Sequence, residues 1–240
     1  MRAPWIHNRR RTGFTLVELL VVIGIIAVLI SLLMPSLSRA KKQAESVACS
    51  ANLRSIGQMM FMYANDNKGA LFPWYAGGGK PVRERWPMIV FGVKPSQVNP
   101  MPKVMVCPGD VELSPGELND ATAHNVDPMW VKHSYVTNMH IWYDEIRVGR
   151  THKVFSSDII VVGEKRNTYT DFRMNSNGPG TSQYKDAVET NRHGRMKKSN
   201  LLFLDGHVSN EEPAEWRGPN GEVPDDPWDI YPGGNYAKYP

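Results

Sequence analysis

The 240-residue sequence has one long apolar run, two cysteines and no surplus of charge beyond its first eleven residues. Each shortage excludes something. Of 28 lysines and arginines, Arg2, Arg9, Arg10 and Arg11 precede the apolar run, and the 24 that remain equal the 24 acidic residues. The formal charge of +4 therefore belongs to the leader, and no basic patch is dense enough to neutralise phosphates, which removes nucleic acid as a partner. Two cysteines with no CxxC spacing exclude a thioredoxin-like or zinc-ribbon reading. The chain also lacks a GxSxG elbow, an HExxH pair and a phosphate-cradling glycine loop, so Asp110, Glu164, His193 and the serines form no recognisable catalytic set. No internal repeat and no second domain are apparent, and the length suits one domain with an appendage.

What is present starts with the run itself. From Phe14 to Met34 only Glu18 carries a charge, and a helix of that length rises roughly 31 Å, the thickness of a bilayer's hydrocarbon. The run exceeds the core of a secretory signal peptide, and its small residue, Gly13, precedes it instead of following. The arginines place the N-terminus on the cytoplasmic side by the positive-inside rule and everything after Met34 on the other.

Past Pro35 a helical period continues through Leu37, Ala40, Ala44, Val47, Ala51, Ile56, Met59 and Tyr63, and "NDNKG" at 65–69 supplies the stop. One helix is predicted from Phe14 to about Asn65, its second half amphipathic and packed on a domain. Pro35 removes a backbone donor and is expected to kink or loosen the helix without ending it.

The stretch "GFTLVELLVVIGIIAVLISLLMPSLSRA" resembles the cleavage and methylation signal of type IV pilins and type II secretion pseudopilins. That resemblance implies a cut after Gly13 by a prepilin peptidase and N-methylation of Phe14 using S-adenosylmethionine. It also gives Glu18 a role in subunit assembly and Pro35 its family position. It implies as partners the peptidase, other pilin or pseudopilin subunits, an inner-membrane assembly platform and membrane lipid. An ordinary single-span anchor accounts for the apolar run but for neither Glu18 nor the order of the cut site.

Further along, "RHGRMKKSNLLFLDGHVSN" resembles the C-terminal motif of a narrower pseudopilin-like group, a histidine, a spacer and Asp-Gly, here His193, Asp205 and Gly206. Eleven residues separate His193 from Asp205, where that group has about nine, and "MKK" reads as a short insertion. The residues themselves read as a β-hairpin with a type I′ Asp-Gly turn, both central residues at positive φ. The rival reading makes His193, Asp205 and His207 a metal cluster, with no second motif in its favour; no metal and no cofactor are expected.

In an oxidising compartment Cys49 and Cys107 most simply form one disulfide, with a pair of free buried thiols as the alternative. Strands are predicted at "VMVC", "HSYVTNMHIWY" and "DIIVVGEK", a loop at 175–183, and a tail rich in Pro and Gly whose Trp216, Trp228, Tyr231, Tyr236 and Tyr239 either cover the domain or meet a partner or glycan.

The resulting expectation is an α+β, pilin-like fold: a long N-terminal transmembrane and amphipathic helix on a small antiparallel sheet, with an irregular C-terminal extension. The divisions are a leader at 1–13, the membrane part of the helix at 14–34, its amphipathic part at 35–66, a sheet domain at 67–210 and the tail at 211–240. The function expected is that of a non-enzymatic structural subunit, processed by the peptidase in the inner membrane and assembled into a secretion-type or pilus-type filament. The alternative is a membrane-tethered extracytoplasmic binding module or envelope enzyme that never polymerises.

Overall fold

A computed structural model describes residues 15–71, 87, 90–92, 101–110, 112, 117–119, 122, 132–138, 148, 159–167, 173–174, 188–194 and 198–212. The expected loop at 175–183 and the tail aromatics lie outside these residues, as do Gly13 and Phe14. The chain divides into two compact units, 1–41 and 42–240.

Helix α1 spans Leu16–Asp66 with Pro35 inside it. Its apolar stretch through Met34 has its large side chains exposed to the surroundings, and it is long and apolar enough to cross a membrane. The stop signal works through backbone geometry: Lys68 and Gly69 take φ of 55° and 83°, and the Gly69 N–H bonds to the Ala64 carbonyl at 2.8 Å. The Asn67 side chain donates to the Tyr63 carbonyl at 2.8 Å, covering another open acceptor.

In the second unit the helix buries Ser46, Cys49, Leu53, Ile56, Gly57, Met60 and Ala64. This is a rotated version of the predicted stripe. Of the expected positions only Ile56 is buried, Met59 and Tyr63 flank the core, and Ala44, Val47 and Ala51 face outward. The rotational phase follows Cys49, which is covalently tied to the body, and Leu53, Ile56 and Met60 recur from it at intervals of three and four.

Five strands form one sheet: β1 (Tyr135–Asn138), β2 (Ile160–Glu164), β3 (Arg173–Met174), β4 (Ser199–Phe203) and β5 (Val208–Glu211). The order is β3-β1-β2-β4-β5. β1 with β2, β2 with β4 and β4 with β5 are antiparallel, and the two-residue β3 adds a parallel edge to β1. β2 and β4 are buried at every position, so "IIVV" is a continuous apolar run and not an alternating one. A register shift between Ile160 and Val162 turns Val161 and Val162 both toward the helix-side core, while Ile160 joins Val136, Val188, Leu201 and Phe203 in a second cluster.

The predicted strand at "VMVC" is instead a 3-10 turn over Lys103–Met105 followed by extended Val106. Pro102 and Pro108 flank the run and cannot donate to a ladder. Side chains and single bonds hold the segment: Ser134 N–H donates to the Met105 carbonyl at 2.7 Å, Cys107 N–H to Ser134 Oγ at 2.9 Å, and Asn52 Nδ2 to the Val106 carbonyl at 3.1 Å.

The β4–β5 connection is a hairpin, but not of type I′. Only Gly206 has positive φ, 91°; Asp205 does not. Phe203 N–H donates to the His207 carbonyl at 3.0 Å and Gly206 N–H to the Phe203 carbonyl at 2.9 Å, which is a three-residue loop closing on a left-handed glycine. Asp205 Oδ1 accepts from the His207 N–H at 3.0 Å, so the aspartate acts as a turn acceptor and needs no unusual φ itself. A Cβ at Gly206 would lie 3.0 Å from Phe61 of α1, and the tip of the hairpin therefore sits against the helix.

Candidate functional site: the helix start and the cluster beside the disulfide

The N-terminal end of α1 has a capping box written in "TLVE". Thr15 Oγ1 accepts from the Glu18 N–H at 3.3 Å, while Glu18 Oε2 accepts from the Thr15 N–H at 2.9 Å and from the Thr15 hydroxyl at 2.8 Å. These bonds satisfy amide donors that a helix start leaves open. A negative group in the first turn also meets the positive end of the helix dipole. Among the described residues, Thr15 bonds the carboxylate through Oε2 alone. The T-x-x-E pattern was readable in the sequence, and Thr15 is the residue that reading passed over.

Within the second unit, Cys49 of α1 and Cys107 form a disulfide with their Cα atoms 5.2 Å apart. His193 lies against it, Nε2 at 3.6 Å from Cys107 Sγ and 2.8 Å from Glu164 Oε1. Glu164 is fully buried. Its Oε2 accepts from the Asn200 N–H at 3.2 Å and its Oε1 from Asn200 Nδ2 at 3.0 Å. Asn200 also takes a bond from the Ser50 hydroxyl at 3.1 Å and one from Asn210 Nδ2 at 2.9 Å, so one amide links α1, β2, β4 and β5.

Two further buried acids extend the polar layer. Asp110 meets Lys132 Nζ at 3.1 Å, the Ser134 hydroxyl at 2.7 Å and Arg192 at 3.3 Å. Lys132 Nζ also donates to the Glu112 carbonyl. Glu117 takes the Lys165 ammonium at 2.9 Å and the His133 N–H at 2.9 Å, with His133 Nδ1 at 3.3 Å. Arg192 donates to the Lys165 carbonyl at 2.6 Å and to Asn167 at 3.1 Å. Burial lowers the Lys165 pKa even though Glu117 pulls it up, and burial pushes the Tyr135 phenol well above the usual tyrosine range. Paired in this way, buried charges avoid the several kcal/mol each would cost alone.

The sequence-predicted residues fall into separate places. Cys49 and Cys107 are joined. His193 and Asp205 are not brought together: His193 is drawn to Glu164 and the disulfide, while Asp205 bonds the exposed His207 ring at 2.6 Å on the hairpin tip. The rival cluster of His193, Asp205 and His207 is therefore not assembled. Glu164, which does meet His193, and Asn200, which holds that glutamate, gave no local signal because their partners lie on other elements.

A sequence-family model described as the prokaryotic N-terminal methylation motif matches residues 8–34. A type IV wide pilus major component, PilA4, of Thermus thermophilus is 44% identical over 59 residues, covering 25% of this chain and 45% of that protein. Type II secretion system core protein G is 36% identical over 61 residues in Aeromonas hydrophila and 39% over 60 residues in Dickeya chrysanthemi, covering 25% of this chain and 43% and 39% of those proteins. The chain thus spans less than half the length of these curated relatives, and no solved structure matches it. The long apolar helix, its capped glutamate and these matches agree: the N-terminal segment is similar to that of type IV pilins and type II secretion pseudopilins.

Proposed function

We propose that the chain is a filament subunit, cut after Gly13 and methylated at Phe14 by a prepilin peptidase, then held in the inner membrane with its body on the extracytoplasmic side. Assembly with other pilin or pseudopilin subunits, on a membrane platform of the type II secretion or type IV pilus kind, follows from that placement. The observation that carries the reading is the exposed apolar helix with one carboxylate at its start, bonded through a single oxygen. Cleavage at Gly13 creates a new α-amino group at Phe14, mostly cationic near neutral pH. Glu18 Oε2 is occupied by Thr15, and Oε1 remains for the amine of a neighbouring subunit. In lipid such a pair recovers Coulomb energy that water would screen, so it sets the axial register of packed helices. No catalytic role is assigned.

The test uses cells in which the variant is the sole copy. Intact-mass analysis is expected to find methylated Phe14 at the mature N-terminus. Glu18→Gln keeps the side-chain acceptor for Thr15 and so keeps the helix start, membrane insertion and cleavage, but removes the charge and depletes the filament pool. Normal filament content in Glu18→Gln cells refutes the pairing. A mature chain that begins elsewhere, or one that remains wholly membrane-resident, refutes the subunit assignment and favours a tethered module.

A further inference from the structure

The polar layer beside the disulfide contains a mixed donor set. Cys49, Cys107, Glu164 and His193 are all buried, and each offers a ligand atom within 4.8 Å of the others. We propose that, when the Cys49–Cys107 bond is reduced, these four side chains hold a zinc ion, so that metal and disulfide are alternative crosslinks between the same two stretches of chain.

The geometry is close to what zinc requires. A tetrahedral ion with Zn–S of about 2.3 Å and Zn–N or Zn–O of about 2.0 Å has edges of roughly 3.5 Å between nitrogen and sulfur, and roughly 3.3 Å between nitrogen and oxygen. His193 Nε2 already stands 3.6 Å from Cys107 Sγ and 2.8 Å from Glu164 Oε1. Two thiolates on one zinc lie roughly 3.8 Å apart. Cα atoms 5.2 Å apart leave room for the sulfurs to part by side-chain rotation. Asn200 holds both oxygens of Glu164, fixing the carboxylate before an ion arrives.

A second observation points the same way. His193 Nδ1 is buried and has no hydrogen-bond partner among the described residues. With Nε2 on a metal, Nδ1 must carry the ring proton and needs an acceptor. Glu45 Oε2 and His193 Nδ1 both crowd one point beside Gly109, at 3.3 Å and 3.4 Å from where a Cβ would stand. A small movement of Glu45 would place a carboxylate on the Nδ1–H, the second support that metal-bound histidines commonly have. Gly109 has no side chain to block it.

The chemistry balances simply. A dithiol or phosphine reductant supplies two electrons and, with two protons, converts the disulfide into two thiols. Zinc displaces both thiol protons to solvent as it binds the thiolates. An oxidant that takes two electrons from the thiolates re-forms the disulfide and releases the ion. The reduced chain thereby keeps its helix tied to the body until oxidation replaces the metal. None of this depends on filament assembly.

The test uses the full chain in mild detergent, reduced anaerobically with a phosphine, with cobalt(II) as the spectroscopic probe and zinc as competitor. One equivalent of cobalt is expected, with thiolate-to-cobalt charge-transfer absorption and the strong visible bands of a tetrahedral site, displaced by one equivalent of zinc and lost on re-oxidation. His193→Gln and Glu164→Gln each weaken binding at least tenfold, Cys49→Ser with Cys107→Ser abolishes it, and His207→Ala leaves it unchanged. If reduction alone unfolds the body, one equivalent of zinc is expected to restore the near-ultraviolet circular dichroism of the oxidised chain. The proposal is overturned by a reduced chain that neither binds cobalt nor refolds with zinc, by equal binding to the oxidised chain, or by wild-type affinity in His193→Gln.

Discussion

Gly57 sits on the buried face of α1 directly beneath Leu202 of β4, and replacing it with alanine sets two effects against each other. Alanine is the better helix former by about 1 kcal/mol in an open helix interior. Against that, the new Cβ would lie 3.0 Å from Leu202 Cδ1 and 3.3 Å from Cδ2. Leu202 is 1% exposed and its strand is paired on both sides, with Val162 and with Val208, so it cannot swing into solvent. Overpacking of this kind costs about 1–3 kcal/mol, and a net loss of about 1 kcal/mol is expected for Gly57→Ala. Leu202→Ala alone opens a cavity and is expected to cost about 2–5 kcal/mol. In the double variant the alanine methyl partly fills the vacated space, and the combined loss falls below the sum by about 1–2 kcal/mol. Urea unfolding of the full chain in detergent, followed by near-ultraviolet circular dichroism, measures all four corners of the cycle. A stabilised Gly57→Ala, or additivity within about 0.5 kcal/mol, would show that helix and sheet do not approach so closely and that the packing argument is wrong.

Other perturbations bear on the same body. Cys49→Ser is expected to remove about 4 kcal/mol, the loop-entropy value for a crosslink spanning 58 positions, read as the difference between oxidised wild type and variant in denaturant. Gly206→Val is expected to cost at least ~2 kcal/mol, because a β-branched residue is forced to φ near 91° against Phe61, whereas Asp205→Asn keeps an acceptor for the His207 N–H and stays within ~1 kcal/mol. Burial raises the Tyr135 pKa, so above pH ~10 the unfolded chain loses a proton that the folded chain keeps. Stability is therefore expected to fall as pH rises past that point, and Tyr135→Phe should make the fall shallower; an unchanged slope by thermal unfolding counts against Tyr135 as its source.

The elements that could be read from the sequence are those whose cause is local. Helix α1 declares itself through an unbroken apolar run and "NDNKG", and β2 and β4 through short apolar runs bounded by Gly, Asp and Asn. The capping box was equally local, in "TLVE". Features set by distant residues were not legible. The face of α1 that is buried depends on where Cys107 stands, and the stripe drawn through Ala44, Val47 and Ala51 missed it. The parallel edge strand β3 is two residues long and has no period to detect. His193 was noticed as part of a spaced motif with Asp205, yet its neighbours prove to be Glu164 on β2 and Cys107, brought near only by the sheet. The ion pairs of Asp110 and Glu117 likewise join residues far apart in the chain.

The bond between Cys49 and Cys107 also reroutes mechanical load. Draw the chain taut by its two ends, and tension arriving along α1 leaves the backbone at Cys49 and re-enters it at Cys107. The residues between them bear none of it. At about 3.5 Å each, the 58 positions spanned amount to roughly 200 Å of contour that stays slack however hard the ends are pulled. The sheltered length includes residues 50–66 of the helix, with Leu53, Ile56, Met60 and Ala64, the side chains that seat it on the sheet. In a single-molecule pulling experiment the oxidised chain should come up short by that length, and a reductant should return it. A subunit hauled by its N-terminal helix would thus pass the force to the sheet-bearing part of the chain through a covalent bypass, while the helix residues between the two cysteines stay out of the line of tension.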